Sequence, residues 1–109
     1  MAEQSRRDKI EAMLQREPQD QFLRYGLAVE YVNEGRTDEA AALFDALMRD
    51  TPPHVPSFFR CAQMLVADDR ISEARAALRT GIEAAREQGN AHAAGEMSEL
   101  LASLGSLGE

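Results

Sequence analysis

The chain returns on itself after 34 residues. The segment Arg-Thr-Asp-Glu-Ala-Ala-Ala-Leu-Phe-Asp-Ala-Leu-Met at 36–48 comes back as Arg-Ile-Ser-Glu-Ala-Arg-Ala-Ala-Leu-Arg-Thr-Gly-Ile at 70–82. Arg36, Glu39, Ala40 and Ala42 fall on Arg70, Glu73, Ala74 and Ala76, while Phe44 falls on Leu78 and Met48 on Ile82. A fixed period of this size calls for a stack of like units, because one such unit cannot bury its apolar face alone. Stacked units present extended surfaces rather than closed clefts, so the repeat speaks for binding over catalysis.

Apolar residues recur at helical spacing throughout, and no strand-like alternation competes. The pattern predicts five or six helices. The first covers about 4–16, with Ile10, Met13 and Leu14 on one face, and stops before Pro18. The second runs from near Asp20 to Gly35, a glycine able to take the left-handed conformation that closes a helix. The third begins at Thr37 as N-cap, with Asp38 and Glu39 in the positive first turn, and ends before Pro52. A fourth is expected from Pro53 or Ser57 to Ala67, and a fifth from near Ser72 to Gln88, closed by Gly89. The last opens at Asn90 and runs to Leu104. Its Ala93, Ala94, Met97, Leu100, Leu101 and Leu104 make an apolar face opposite His92, Glu96, Glu99 and Ser103. The connections are short, so consecutive helices must fold back on each other as hairpins.

These helix pairs resemble the tetratricopeptide repeat, whose pattern sets Trp, Leu-Gly, Tyr, Ala, Phe and Pro at fixed offsets. In the unit at 21–54 the matching residues are Leu27, Ala28, Tyr31, Ala40, Phe44 and Pro52; Arg24 stands in the Trp position. In the unit at 55–88 they are Phe58, Cys61, Ala62, Leu65, Ala74 and Leu78, and Arg86 replaces the closing Pro. The first helix fits as a half unit over 4–18, since Ile10, Met13 and Pro18 lie 34 residues before Phe44, Leu47 and Pro52. The helix at 90–104 lacks the pattern and has the polar and apolar stripes of a cap. The resemblance implies an all-α, right-handed superhelix of antiparallel hairpins: about two and a half repeats plus a C-terminal capping helix, one domain over 1–109.

In the family, partners dock on a concave face lined by the first helix of each pair. Here Tyr25 and Val29, with Phe59, Arg60 and Gln63, take such positions and are the expected partner-binding residues. A helix inside a stack touches neighbours on two sides, so Tyr25, Val29 and Phe59 read equally as core; Phe22 and Val32 are expected in the core. Some family members hold a chaperone's C-terminal carboxylate with Lys and Asn, but only Arg60 is cationic among Tyr25, Gly26, Val29, Phe59, Arg60 and Gln63, so that clamp is absent. The implied function is a non-enzymatic adaptor for a peptide or protein surface. The alternative is a structural subunit that self-associates through its apolar stripe or an open repeat end, as a monomer or weak homodimer.

Charge and chemistry narrow this further. The chain carries 19 acidic and 12 basic residues, a formal charge of −7. Its tightest basic group, Arg6, Arg7 and Lys9, is interrupted by Asp8 and followed by Glu11. Nucleic-acid surfaces need a basic face, so neither a nucleic acid nor an anionic membrane is expected as partner. The acidic surround instead suggests an apolar groove ligand with basic or polar character. The one cysteine, Cys61, reads as a buried thiol, and His54 and His92 lie too far apart for metal-ligand spacing. There is no glycine-rich phosphate loop, so no cofactor, metal or catalytic residue is expected. No stretch approaches the roughly 20 apolar residues that span a bilayer. The first residues carry no apolar run of the kind a secretion signal needs, which makes a cytoplasmic location the expectation.

Overall fold

The computed structural model describes residues 5–105, which form six α-helices and no strand. They are α1 (Arg6–Arg16), α2 (Gln21–Asn33), α3 (Thr37–Met48), α4 (Val55–Ala67), α5 (Ile71–Glu87) and α6 (Ala91–Leu104). Residue 4, where the sequence starts the first helix and the half repeat, and residues 1–3 and 106–109 of the expected domain lie outside the described residues.

Local chemistry accounts for most of the boundaries. Ser5 and Asp8 form a capping box before α1: the Asp8 N–H donates to Ser5 Oγ at 3.0 Å and the Ser5 N–H to Asp8 Oδ2 at 3.3 Å. Asp20 caps α2 by accepting from the Leu23 N–H at 2.8 Å, and Asn90 caps α6 by accepting from the Ala93 N–H at 3.0 Å.

The expected start of α3 is corrected. Arg36, not Thr37, occupies the cap position of α3; Arg70 caps α5, whose first residue, Ile71, lies beside the expected start near Ser72. The cause is the preceding turn. The Arg36 N–H bonds the Tyr31 carbonyl and the Gly35 N–H bonds that of Val32, a Schellman closure of α2 that feeds straight into α3. The same pair recurs from Arg70 to Leu65 and Asp69 to Val66, and from Asn90 to Ala85 and Gly89 to Arg86. The residue that ends one helix is therefore also the cap of the next. Arg36 and Arg70 add a fork to Glu39 and Glu73 three positions on, with Nε to Oε1 at 2.7 and 3.1 Å. The hydrogen bond from Arg36 holds the Glu39 carboxyl below the usual carboxylate range.

Each closure needs one residue in the left-handed region. Gly35 (φ 75°) and Gly89 (φ 71°) fill two of the three, but Asp69 (φ 60°) fills the third. A non-glycine residue there carries a steric cost of about 1–2 kcal/mol, somewhat relieved for Asp. Asp69→Gly is therefore expected to stabilise the protein by about 0.5 kcal/mol, net of glycine's greater freedom when unfolded. A rise in the urea midpoint at unchanged slope would show it; a fall would mean that the Asp69 side chain contributes more than the strain removes.

By internal packing the chain divides into two compact units, the first ending at Asp50 and the second beginning at Thr51. In the first, α2 packs on α1 and α3. Ile10, Leu27, Ala28, Ala40, Phe44 and Leu47 are buried between them. In the second, α5 packs on α4 and α6, and α4 also touches α6. Its core includes Phe58, Cys61, Ala62, Leu65, Ala74, Leu78 and Met97. Ala28 and Ala62, and Ala40 and Ala74, are wholly inaccessible at equivalent positions of the two hairpins, so each hairpin closes over small side chains.

The departure at Arg24 has a local solution. Its guanidinium pairs with Asp50 and also donates to the Gln19 carbonyl at 3.0 Å. One repeat later the corresponding residues are Phe58 and Ala84, both buried, so an ion pair stands here where two apolar side chains stand there. A second arginine, Arg75, was not singled out by the sequence. It is 6% exposed and donates to the carbonyls of Leu104 and Gly105, tying the end of α6 to α5.

Candidate partner-binding faces

The five expected binding residues stand on two helices in different units. Tyr25 and Val29 lie one turn apart on α2, both half-buried. The Tyr25 ring meets Phe44 of α3 with centroids 6.2 Å apart and planes tilted by 59°, so its inner edge is core while the rest of the side chain faces outward. On α4, Phe59 and Arg60 are half-buried and Gln63, one turn on, is exposed; the neighbouring Phe58 turns inward at 2% exposure.

The expectation of a core role for Phe22 is overturned. Its side chain is 80% exposed, although α3 packs on α2 and Phe44 of α3 meets the Tyr25 ring one turn further along. Val32 is half-buried.

Phe22 instead forms the lip of a groove of about 380 Å³ between α1 and α2. Ile10 and Met13 line it from α1, and Phe22, Tyr25, Gly26 and Val29 from α2. Arg6, Lys9 and Glu30 stand at its rim, where Arg6 Nε meets Glu30 Oε1 at 2.8 Å. Met13 is 45% exposed. An apolar groove with a charged rim suits an apolar side chain or helix face better than a polar small molecule. The period had indicated Tyr25 and Val29 but not the groove, since that depends on Met13 and Phe22 turning outward together. The signal available was the spacing of Phe22, Tyr25 and Val29, which puts all three on one apolar stripe of α2.

The remaining chemistry-bearing residues are structural or dispersed. Cys61 is buried at 5% exposure. His54 Nδ1 lies 2.8 Å from Ser57 Oγ at the start of α4, and His92 lies 3.3 Å from Glu96 on the polar face of α6. Among the described residues no group of three or more His, Cys, Asp or Glu is placed to hold a metal ion. Nor is any helix among them long and apolar enough to cross a membrane. The arginines whose pKa values rise, Arg7 and Arg36, do so through hydrogen bonds to Glu11, Glu34 and Glu39, and neither lines the groove.

A family model described as tetratricopeptide repeat matches residues 32–97. Among solved structures, a tetratricopeptide repeat domain protein from Salinibacter ruber is 30% identical, with a TM-score of 0.77 over 83% of this chain and 91% of that one. A protein from Bordetella parapertussis, 24% identical, aligns with a TM-score of 0.78 over 94% of this chain and 89% of that one, and supports the fold alone. No curated protein sequence matches the chain.

Proposed function

Since this chain belongs to the tetratricopeptide repeat family, we propose that it is a non-enzymatic adaptor that binds a peptide or protein surface through the outward faces of α2 and α4. Folds of this family are generally protein–protein interaction modules. The observation that carries the reading is the apolar groove on the first unit, which leaves Phe22 80% exposed beside the half-buried Tyr25 and Val29. A contiguous apolar patch left on the surface of a folded protein marks an interaction site. On α4, Phe59 with Arg60 and Gln63 gives the second unit a mixed apolar and polar face of its own, suited to adaptable contacts.

The test is affinity capture with the immobilised wild-type protein beside Val29→Ser and Phe59→Ala/Gln63→Glu, each matched to wild type in circular dichroism. A protein retained by the wild type and lost by a variant is the expected result. Identical retained sets would remove these faces from the function. A concentration-dependent dimer in sedimentation, with nothing retained, would favour the self-associating structural subunit instead.

A further inference from the structure

We infer that the α1–α2 groove is a seat for an amphipathic helix, one with bulky apolar residues on its inner face and acidic residues along the edge that meets α1. The inference rests on the interaction-module reading and names the ligand class for one of its faces.

The second unit shows what fills a groove of this kind. By the repeat, α1 corresponds to α5: Ile10 and Met13 lie twice 34 residues before Leu78 and Gly81. Each is followed by a short turn and another helix, α2 or α6, whose first turn is capped by Asp20 or Asn90. On the α5–α6 pair the seat is taken by α4. Phe58 of α4 enters it so closely that a Cβ on Gly81 would lie 2.5 Å from Phe58 Cβ and 2.6 Å from Met97 Sδ of α6. On the α1–α2 pair the corresponding seat is the groove, lined by described residues of the first unit alone. The expected occupant is therefore a helix lying as α4 lies, with apolar residues at the spacing of Phe58, Cys61, Ala62 and Leu65, all buried in the second unit.

The differences between the seats define the guest. Where α5 carries Ala74, Ala77 and Gly81, α1 carries Arg6, Lys9 and Met13. The wider wall keeps the guest helix further from α1, so it must reach the groove floor with Leu, Met or Phe rather than with the small pair Cys61 and Ala62. The same replacement puts two cations on an edge that is uncharged in the second unit. Arg6 is already paired with Glu30, while Lys9 is exposed and has no ion pair among the described residues. The whole-chain charge argued for a basic ligand; the groove's own edge selects an acidic one.

The probe is a stapled helical peptide of about 18 residues, long enough to hold a helix once constrained. It carries Leu at every third and fourth position of one face and Glu along one edge, with a fluorophore for anisotropy. Two companions replace the Glu residues by Lys, or the Leu residues by Ser. The Glu peptide is expected to bind the wild-type protein at least tenfold more tightly than the Lys peptide, and the Ser peptide to show no binding. Lys9→Glu should reverse the charge preference, and Phe22→Ala/Met13→Ser should weaken the Glu peptide at least tenfold. Both changes fall on exposed side chains, and matched circular dichroism would verify the fold.

Absence of binding, or equal binding of the Glu and Lys peptides, would overturn the inference. Loss of binding on Phe59→Ala but not on Phe22→Ala/Met13→Ser would also overturn it while leaving the adaptor reading intact. A wild-type dimer dissolved by Phe22→Ala would overturn it in favour of a second copy of this chain.

Discussion

Gly81→Ala is expected to destabilise the second unit by roughly 1–3 kcal/mol, although alanine is the better helix former. A Cβ at this position would stand 2.5 Å from Phe58 Cβ, 2.6 Å from Met97 Sδ and 2.8 Å from Phe58 Cγ. The methionine tail can rotate aside, but the Phe58 Cβ is fixed to the backbone of α4. The only remedy is to move α4 and α5 apart, which loosens every contact around the wholly buried Ala62, Ala74 and Leu78. Gly95→Ala supplies the opposite case. Gly95 lies inside α6 with nothing within 4 Å of where its Cβ would go. There the change should stabilise by roughly 0.5–1 kcal/mol through helix propensity alone. Urea midpoints measured side by side should move in opposite directions. Two stabilising changes would mean that α4 and α5 are not held together at Phe58.

Phe44→Ala should cost about 3–5 kcal/mol, the largest single effect available in the first unit. Phe44 is wholly buried, and its ring also meets that of Tyr25 at 6.2 Å. Among the described residues the first unit buries six apolar side chains and the second fifteen, so the same loss takes a larger share of the smaller core. The loss should be local, and the sequence provides a reporter. There is no Trp, and both tyrosines, Tyr25 and Tyr31, lie in the first unit, so tyrosine fluorescence follows that unit alone. In Phe44→Ala the tyrosine transition should fall well below the helical circular-dichroism transition, part of which comes from the second unit. Coincident transitions at the wild-type midpoint would refute this. Phe22→Ala, at an 80% exposed site, should shift stability by no more than about 0.5 kcal/mol.

The repeat made the fold legible because its signals are local and redundant. Ala40 and Ala74, Phe44 and Leu78, and the turn residues Gly35 and Gly89 each said the same thing about packing or closure, and the structure agrees. Thr37 misled because its propensity to cap is real, but the Schellman turn one residue earlier had already fixed where α3 begins. Phe22 misled for a different reason. Its spacing from Tyr25 and Val29 marks an apolar stripe correctly, yet a stripe does not say whether a neighbour covers it. That depends on how far the neighbouring helix reaches: α3 meets the stripe at Tyr25, through Phe44, and leaves Phe22 exposed. Arg75 had only a weak signal, a charged residue at the position of Ala41, and its use depends on where α6 ends. The binding residues were therefore legible as a pattern on α2 and α4, while the groove beside Tyr25 required the position of α1.

Chains built from similar units face a recognition problem of their own during folding, since a helix from one unit can try the place of its counterpart in another. The Arg24–Asp50 pair would penalise that error. If α2 took the place of α4 on α5, Arg24 would arrive where Phe58 sits, against Gly81, with Ala84 in place of the carboxylate it needs. A buried guanidinium without its counter-ion costs several kcal/mol, far more than a mismatched methyl group. The reverse exchange would leave Asp50 facing a phenyl ring. A substitution that looks like decay of the repeat pattern thus makes the two near-copies unequal in fit at each other's place.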